Sequence, residues 1–370
     1  MAGSSQQAGV GRRGPPRILV VRRDNIGDLV CTTPLLAALR RRFPDAWLAV
    51  LANSYNAPVL AGHPDIDAVF LYRKLKHGGI GPLGLVVERV RLVRELRGAR
   101  LDFVFLAKTL FQRREFGFAR LLAPAHIVGY APLHGPAPRA LDHAVPEAGA
   151  EGLHEVERVF RLARAIGIDG PPPPMGLGVA AAELTYVREA MTARGVRSPV
   201  VGVHLSARKA SQRWPAERFA VLMRALHERH GASFILFWSP GPSDHPQHPG
   251  DDEKASAVLD ALGVAPLSKG VARGTGGFPV LAWPTQELPA LVAGLAACDR
   301  VICSDGGAMH VAAALGKPIV CFFGNSDATL WRPWGVPYEL LQPASRDVAD
   351  VNVDQALAAC ETIAIAPQAG

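Results

Sequence analysis

Cysteine is scarce in this chain of 370 residues, which holds only Cys31, Cys298, Cys303, Cys321 and Cys360. The number is odd, the positions are scattered, and most lie in apolar runs. That argues against a disulfide framework and against a zinc site, and it fits a reducing compartment. Long apolar runs are also missing, and no stretch is long enough to span a bilayer. Met1 to Pro16 is small, polar and basic, without the apolar centre of a secretory signal. The expectation is a cytoplasmic protein, with peripheral contact at the inner face of a membrane still open. Several catalytic signatures are absent: a Walker-type phosphate loop, a Gly-x-Ser-x-Gly elbow and a His-Glu-x-x-His pair. The first apolar run is not followed by Gly-x-Gly-x-x-Gly, which weakens a dinucleotide-dependent dehydrogenase. No sequence repeat and no recognisable nucleic-acid module is present, so no nucleic-acid partner is expected.

What is present describes a globular protein. Hydrophobic residues make up 49% of the chain and charged residues 20%, a composition that can bury a core. The length exceeds one average core, so two domains are expected. The formal charge is +7, much of it from arginine clusters such as Arg40-Arg41-Arg42 and Arg113-Arg114. A basic surface suits phosphate-bearing ligands or an anionic membrane face. A solvated helix face explains any single cluster equally well.

Order begins at Arg17. Ile18 to Val21 is a short continuous apolar run, the mark of a strand buried on both faces of a parallel sheet. A loop through Arg22 to Asp28 follows, then a helix ending at Arg40 to Phe43 and stopped by Pro44. That helix begins either at Asp28, with a bend, or at Pro34 with Thr33 as its cap. Strands are expected at Trp47 to Leu51, Ala68 to Leu71 and Leu101 to Leu106, with a helix over Gly84 to Arg97. Gly170 to Pro174 then breaks the pattern as a stiff spacer. After a helix at Ala181 to Arg194 the rhythm restarts with strands at Val200 to His204, Phe234 to Trp238, Arg300 to Cys303 and Pro318 to Phe323. Helices are expected at Phe219 to Arg229, Gln286 to Ala297 and Met309 to Leu315. Strands alternating with helices give an α/β protein of two doubly wound parallel sheets, one over 17–174 and one over 175–370. Ligands in such sheets collect beyond the carboxyl ends of the strands.

Three loops at such ends carry candidate chemistry. After Cys303, Asp305 would suit the donor hydroxyls of a sugar. Gly306 and Gly307 allow close backbone approach, and the helix start bearing His310 favours a diphosphate. The plain alternative is a tight turn with a capping aspartate. After Val21, Asp28 could take a proton from an attacking hydroxyl as general base, or could simply cap the helix. Asp24 is a weaker candidate, and Gly27 is expected to supply an unusual backbone angle. In the loop Ser206 to Pro215, Lys209 and Arg213 could neutralise phosphate charge. The segment His248 to Lys254 holds three carboxylates and reads mainly as an acidic first helical turn, with ribose hydroxyls or a metal as the other reading. Asp65-Ile66-Asp67 precedes a strand and reads as a turn.

These loops, in this order, resemble glycosyltransferase family 9, the heptosyltransferases of lipopolysaccharide core assembly. One matching segment runs from Ile18 through Asn25-Ile26-Gly27-Asp28 to Leu36. A second is Val201 to His204 with Arg213-Trp214-Pro215 and Arg218-Phe219. The third runs from Asp305 to Gly316, then Pro318, Phe323-Gly324 and Trp331 to Gly335. The resemblance implies a GT-B fold, two Rossmann-like domains facing across a cleft. It implies an N-terminal domain that receives a glycan or glycolipid acceptor and a C-terminal domain that holds a nucleotide sugar, usually ADP-heptose. It implies inversion at the anomeric carbon with no bound metal and no other cofactor. Asp28 becomes the expected base, with Asn25 and Gly27 in the acceptor-side loop. Ser206, Lys209, Gln212, Arg213, Asp305, Gly306, Gly307 and His310 become the expected donor-binding set. Two positions depart from the family pattern: Gly306 stands where Thr is frequent, and Gln212 where Lys is common. The competing readings are a nucleotide-sugar epimerase of the same architecture and a homologue that binds a nucleotide sugar without turning it over.

Overall fold

The structure, a computed structural model, describes residues 14–73, 81–244, 249–264 and 277–363. Contacts divide the chain into two compact units, Met1–Pro174 and Met175–Gly370.

The first unit runs β1 (Arg17–Val21), α1 (Ile26–Val30), α2 (Thr33–Arg42), β2 (Trp47–Asn53), β3 (Ala68–Tyr72) and α3 (Pro82–Gly98). It continues β4 (Phe103–Leu106), α4 (Arg113–Leu121), β5 (His126–Tyr130), β6 (His143–Val145) and α5 (Glu155–Arg164). Its sheet has the order β3-β2-β1-β4-β5-β6, and every pairing is parallel. The apolar run of β1 has its cause here: Ile18 pairs with Leu48 on one side and Phe103 on the other. A strand so enclosed has no wet face to carry polar residues.

The second unit runs α6 (Ala181–Ala193), β7 (Val200–His204), α7 (Ala216–His230), β8 (Ser233–Trp238), α8 (Asp252–Ala261), β9 (Val280–Pro284) and α9 (Leu288–Ala296). Then come β10 (Arg300–Ser304), α10 (Gly307–Ala314), β11 (Ile319–Phe322), α11 (Ala328–Trp331), β12 (Tyr338–Leu341) and α12 (Val353–Thr362). The sheet order is β12-β11-β10-β7-β8-β9, again all parallel. In its core Trp214 stacks on Phe322 at 4.7 Å and meets Phe219 edge-on at 4.8 Å. The Trp214 indole N–H donates to the Val351 carbonyl at 2.8 Å. Both sheets reverse strand order at one point, between β1 and β4 in the first and between β7 and β10 in the second. Loops splay apart there and leave room for a ligand.

The question of where the first helix begins has a third answer. There are two helices, and Asp28 lies inside the short one. The Thr32 hydroxyl donates to the Asp28 carbonyl and the Thr33 hydroxyl to the Val30 carbonyl, so both occupy carbonyls at the end of α1. Pro34 falls in the first turn of α2, where a missing N–H costs nothing. Gly27 is an ordinary helical residue of α1, against the expectation of an unusual angle. The strand expected from Leu101 begins at Phe103, because the Asp102 carboxylate instead accepts from the Arg17 N–H at 2.8 Å. The helix expected from Met309 begins at Gly307. Asp67 does sit in a turn, where its carboxylate accepts from the Leu48 N–H and pairs with Arg40 at 2.7 Å. None of the five cysteines is in a disulfide, and all are buried. Among the described residues no helix is long and apolar enough to cross a membrane.

Candidate functional site

At the switch point of the first sheet the chain leaves β1 and places a buried arginine, Arg22. Its guanidinium gathers three carboxylates, two from its own loop and α1 and one from α5. Nε donates to Asp24 at 2.8 Å, and Nη2 donates to Asp28 at 2.6 Å and to Glu155 at 2.8 Å. Nη1 donates to the Ala107 carbonyl beyond β4. Asn25 caps α1, and its side-chain amide donates to the second Asp28 oxygen at 2.9 Å. Asn53, at the end of β2, holds the loop by donating to the carbonyls of Arg23 and Asp24. Lys108 lies 3.9 Å from Asp24, and the Thr109 hydroxyl bonds Glu155.

The electrostatics separate these carboxyls. Burial alone would push Asp28 up, but the Arg22 charge and the bonds from Asn25 outweigh it and hold the acid below its ordinary value. Burial pushes Glu155 up, and the Arg22 charge does not fully offset this. Arg22 is raised despite its burial because three anions surround it. Asp28 retains 13% side-chain exposure against 3% for Glu155. Of the two, Asp28 is the one whose ionised form is favoured and the more exposed.

At the switch point of the second sheet the loops after β7, β10 and β11 meet. The buried Gln212 donates to the Asp305 carboxylate at 2.7 Å and to the Ser326 hydroxyl at 3.0 Å. The Ser304 hydroxyl donates to the Gln212 carbonyl at 2.7 Å. Lys209 is exposed, with its ammonium 3.4 Å from the Ser326 hydroxyl. Gly306 precedes α10, and no side chain caps that helix. Its first N–H groups, next in sequence to Asp305, therefore have no side-chain cap, an arrangement suited to an anion. Gly306 is extended, with φ at 162°, and a Cβ there would meet nothing within 4 Å. Gly324 is constrained instead: a Cβ would come within 2.2 Å of the Ser211 carbonyl oxygen, so this glycine lets the β7 and β11 loops touch.

The remaining expected donor residues are placed otherwise. Arg213 turns away from Asp305, donating to the Ala207 carbonyl at 2.9 Å and lying 3.5 Å from Asp251. The Ser206 hydroxyl accepts from the Ser239 N–H and ties the β7 loop to the β8 loop. His310 is buried in the first turn of α10 and meets Trp331 edge-on at 5.8 Å. In the acidic segment, Asp252 accepts from Trp238 at 2.7 Å and from the Gly241 N–H at 2.9 Å. That is a structural use, and His248 lies outside the described residues. Lys254 donates to the Leu205 carbonyl, and burial lowers its ammonium to about 8. Among the described residues no cluster of three or more His, Cys, Asp or Glu could hold a metal.

Three participants escaped the sequence reading. Arg22 was read only as the first residue of the loop after β1, without a role. Glu155 lies 133 positions from its partner. Its one local signal is the His154-to-Glu157 capping box, which marks a helix start and says nothing of Arg22. Ser326 had no signal.

Comparison with known proteins now adds to this geometry. The model of glycosyltransferase family 9 (heptosyltransferase) matches residues 89–352. Lipopolysaccharide heptosyltransferase 3 of Escherichia coli K12 is 25% identical over 315 residues, covering 83% of this chain and 82% of that one. Among solved structures, a family 9 glycosyltransferase from Veillonella parvula has a TM-score of 0.75 at 17% identity, covering 94% of this chain and 97% of that one. The E. coli ADP-heptose lipopolysaccharide heptosyltransferase II has a TM-score of 0.69 at 22% identity, covering 94% and 98%. These likenesses extend to the whole two-unit GT-B fold.

Proposed function

Since the chain belongs to glycosyltransferase family 9 and is a glycosyltransferase, we propose that it moves a heptose from ADP-heptose to a lipopolysaccharide-core or similar glycan acceptor, with inversion. The observation that carries this is the pairing of two chemistries at two switch points. One is a carboxylate kept ionised by a buried arginine. The other is a carboxylate held by Gln212 beside an uncapped helix start. The first suits a base, the second a sugar diphosphate. The names of the relatives, heptosyltransferases of lipopolysaccharide with ADP-heptose as donor, supply the substrate class.

Asp28 accepts the proton of the attacking acceptor hydroxyl. The new bond forms between that oxygen and the anomeric carbon while the bond from that carbon to the diphosphate oxygen breaks. The electron pair leaves with ADP, and the proton passes from Asp28 to solvent. Asp305 accepts hydrogen bonds from donor-sugar hydroxyls. The first N–H groups of α10 and the Lys209 ammonium stabilise charge as it grows on the diphosphate. The acceptor is a glycan or glycolipid handled by the first unit.

The test is incubation with ADP-heptose, with and without a truncated core glycan. Acceptor-dependent ADP release and a product of inverted anomeric configuration by NMR are expected. Conversion of the nucleotide sugar without acceptor would replace the reading with an epimerase. Calorimetric binding without turnover on any acceptor would leave a binding protein.

A further inference from the structure

Helix α3 carries a surface that neither the fold nor the transfer chemistry uses. Its inner side is ordinary: Leu85, Leu92 and Leu96 are buried, the last two in the core of the first unit. The outer side of a helix lying on a sheet is normally polar. Here Leu83, Val86, Val87 and Val90 are 78, 57, 61 and 53% exposed. Their spacing of three, four and seven residues places all four on one stripe, opposite Leu85 and Leu92. Arg94 and Arg97 continue that stripe toward the end of the helix, and Arg91 flanks it. All three are exposed.

The other charges of α3 lie off the stripe, the exposed Glu95 on the flank beyond Arg91 among them. Glu88 lies 3.5 Å from Arg73, and Arg89 covers the Tyr72 ring at 4.6 Å. The stripe therefore offers apolar groups at one end and cations at the other, with no carboxylate on it. From Leu83 to Arg97 it runs about 21 Å along the axis. Isolated exposed apolar residues need no explanation, but a row of four on the solvent side of one helix marks a contact surface.

We propose that this face of α3 docks on an anionic phospholipid leaflet. The helix lies in the plane of the interface. Leu83, Val86, Val87 and Val90 enter the boundary between headgroups and acyl chains, and Arg91, Arg94 and Arg97 reach the phosphates. A second copy of the chain would satisfy the apolar residues but would bring no carboxylate on the same stripe to meet the arginines. An anionic leaflet brings a negative charge with each acidic headgroup. The inference stands on this surface alone, and vesicle binding is read without donor or acceptor. It therefore succeeds or fails separately from the transferase reading.

The experiment is co-sedimentation of the full chain with vesicles of phosphatidylcholine alone and of phosphatidylcholine mixed with phosphatidylglycerol. The unmodified protein is expected to pellet with the anionic vesicles, more weakly as salt is raised, and to stay in solution with the neutral ones. Replacing Leu83, Val86, Val87 and Val90 by Ser is expected to reduce binding at least tenfold. Each of R91E, R94E and R97E is expected to weaken it about fivefold or more. These side chains are exposed, and circular dichroism checks that each variant is folded. Failure of the unmodified chain to pellet with anionic vesicles overturns the proposal. So does unchanged binding of the Ser variant. Loss of a dimer in that variant, without any vesicle binding by the parent, would assign the face to a second copy.

Discussion

At the scale of residues, the site turns on how one guanidinium is shared. Arg22 is buried and meets Asp24, Asp28 and Glu155. Removing the cation leaves Asp28 and Glu155 without their paired cation and Asp24 with only Lys108 at 3.9 Å, whereas removing one anion leaves the cation still paired. Arg22→Ala is therefore expected to cost about 3–5 kcal/mol in urea unfolding. Glu155 behaves differently because its folded acid is raised above the ordinary value. Its contribution to stability is present below the unfolded value and is lost as pH rises through the folded one. Burial works against its ionised form, and Gln removes that charge while its amide oxygen can still accept from Arg22. Glu155→Gln is expected to change stability at pH 7 far less than Arg22→Ala, and a loss as large would contradict this account. Asp28→Asn should keep the fold, since the amide oxygen still accepts from Arg22 and only the bonds from Asn25 lose their acceptor, and should keep donor affinity. Turnover is expected to fall about 10²–10⁴-fold, measured as ADP release. Gly306 permits a sharper question. Its backbone is extended and the space around its missing Cβ is open. Gly306→Thr is therefore expected to leave thermal stability within about 0.5 kcal/mol of the parent. The added hydroxyl should raise donor affinity in calorimetry.

At the scale of elements, β1, β7 and β10 were legible because each is flanked by strands on both sides. Enclosure forces a continuous apolar run, and a run of that kind shows in the sequence. The short α1 was not legible. Five residues are too few for a helical period, and what ends it is a pair of threonine hydroxyls on its last carbonyls. Asp28 was read as a possible start or cap of the helix and instead lies inside α1, capped by Asn25, and its partner Glu155 was hidden, since nothing local encodes a contact across 133 positions. The same holds between Gln212 and Asp305. Each drew notice separately, and Gln212 looked like a defect, a neutral residue in a cationic place. The structure gives it a positive task, since it orients Asp305 and Ser326 at once. The junction of the β7 and β11 loops depends on Gly324. An added methyl would meet the Ser211 carbonyl oxygen at 2.2 Å, and backbone cannot swing aside as a side chain can. Gly324→Ala is expected to cost about 1–3 kcal/mol by overpacking. Because Ser211 adjoins Gln212, donor affinity should fall as well. A variant that loses stability but binds donor normally would show that the junction does not position the site.

At the scale of the whole molecule, the two units hold separate cores, one built around Leu19, Val21 and Val104 and the other around Trp214, Phe219 and Phe322. The proposed function divides donor and base chemistry between them in the same way. A nucleotide should therefore act on one unit's stability first. A ligand that binds only the folded form stabilises it by about 2.7 kcal/mol at a hundredfold excess over its dissociation constant. For a unit of this size that raises the melting temperature by about 5–10 °C. Scanning calorimetry with ADP should move the transition belonging to the second unit. Trp214→Ala identifies that transition, because losing the indole from the Phe219 and Phe322 stack and from its bond to Val351 should cost about 3–5 kcal/mol there. Arg22→Ala identifies the other. If ADP instead raised the transition that Arg22→Ala lowers, and left the Trp214-sensitive one unmoved, the nucleotide would belong to the first unit. The roles assigned to Asp305 and the start of α10 would then have to be withdrawn.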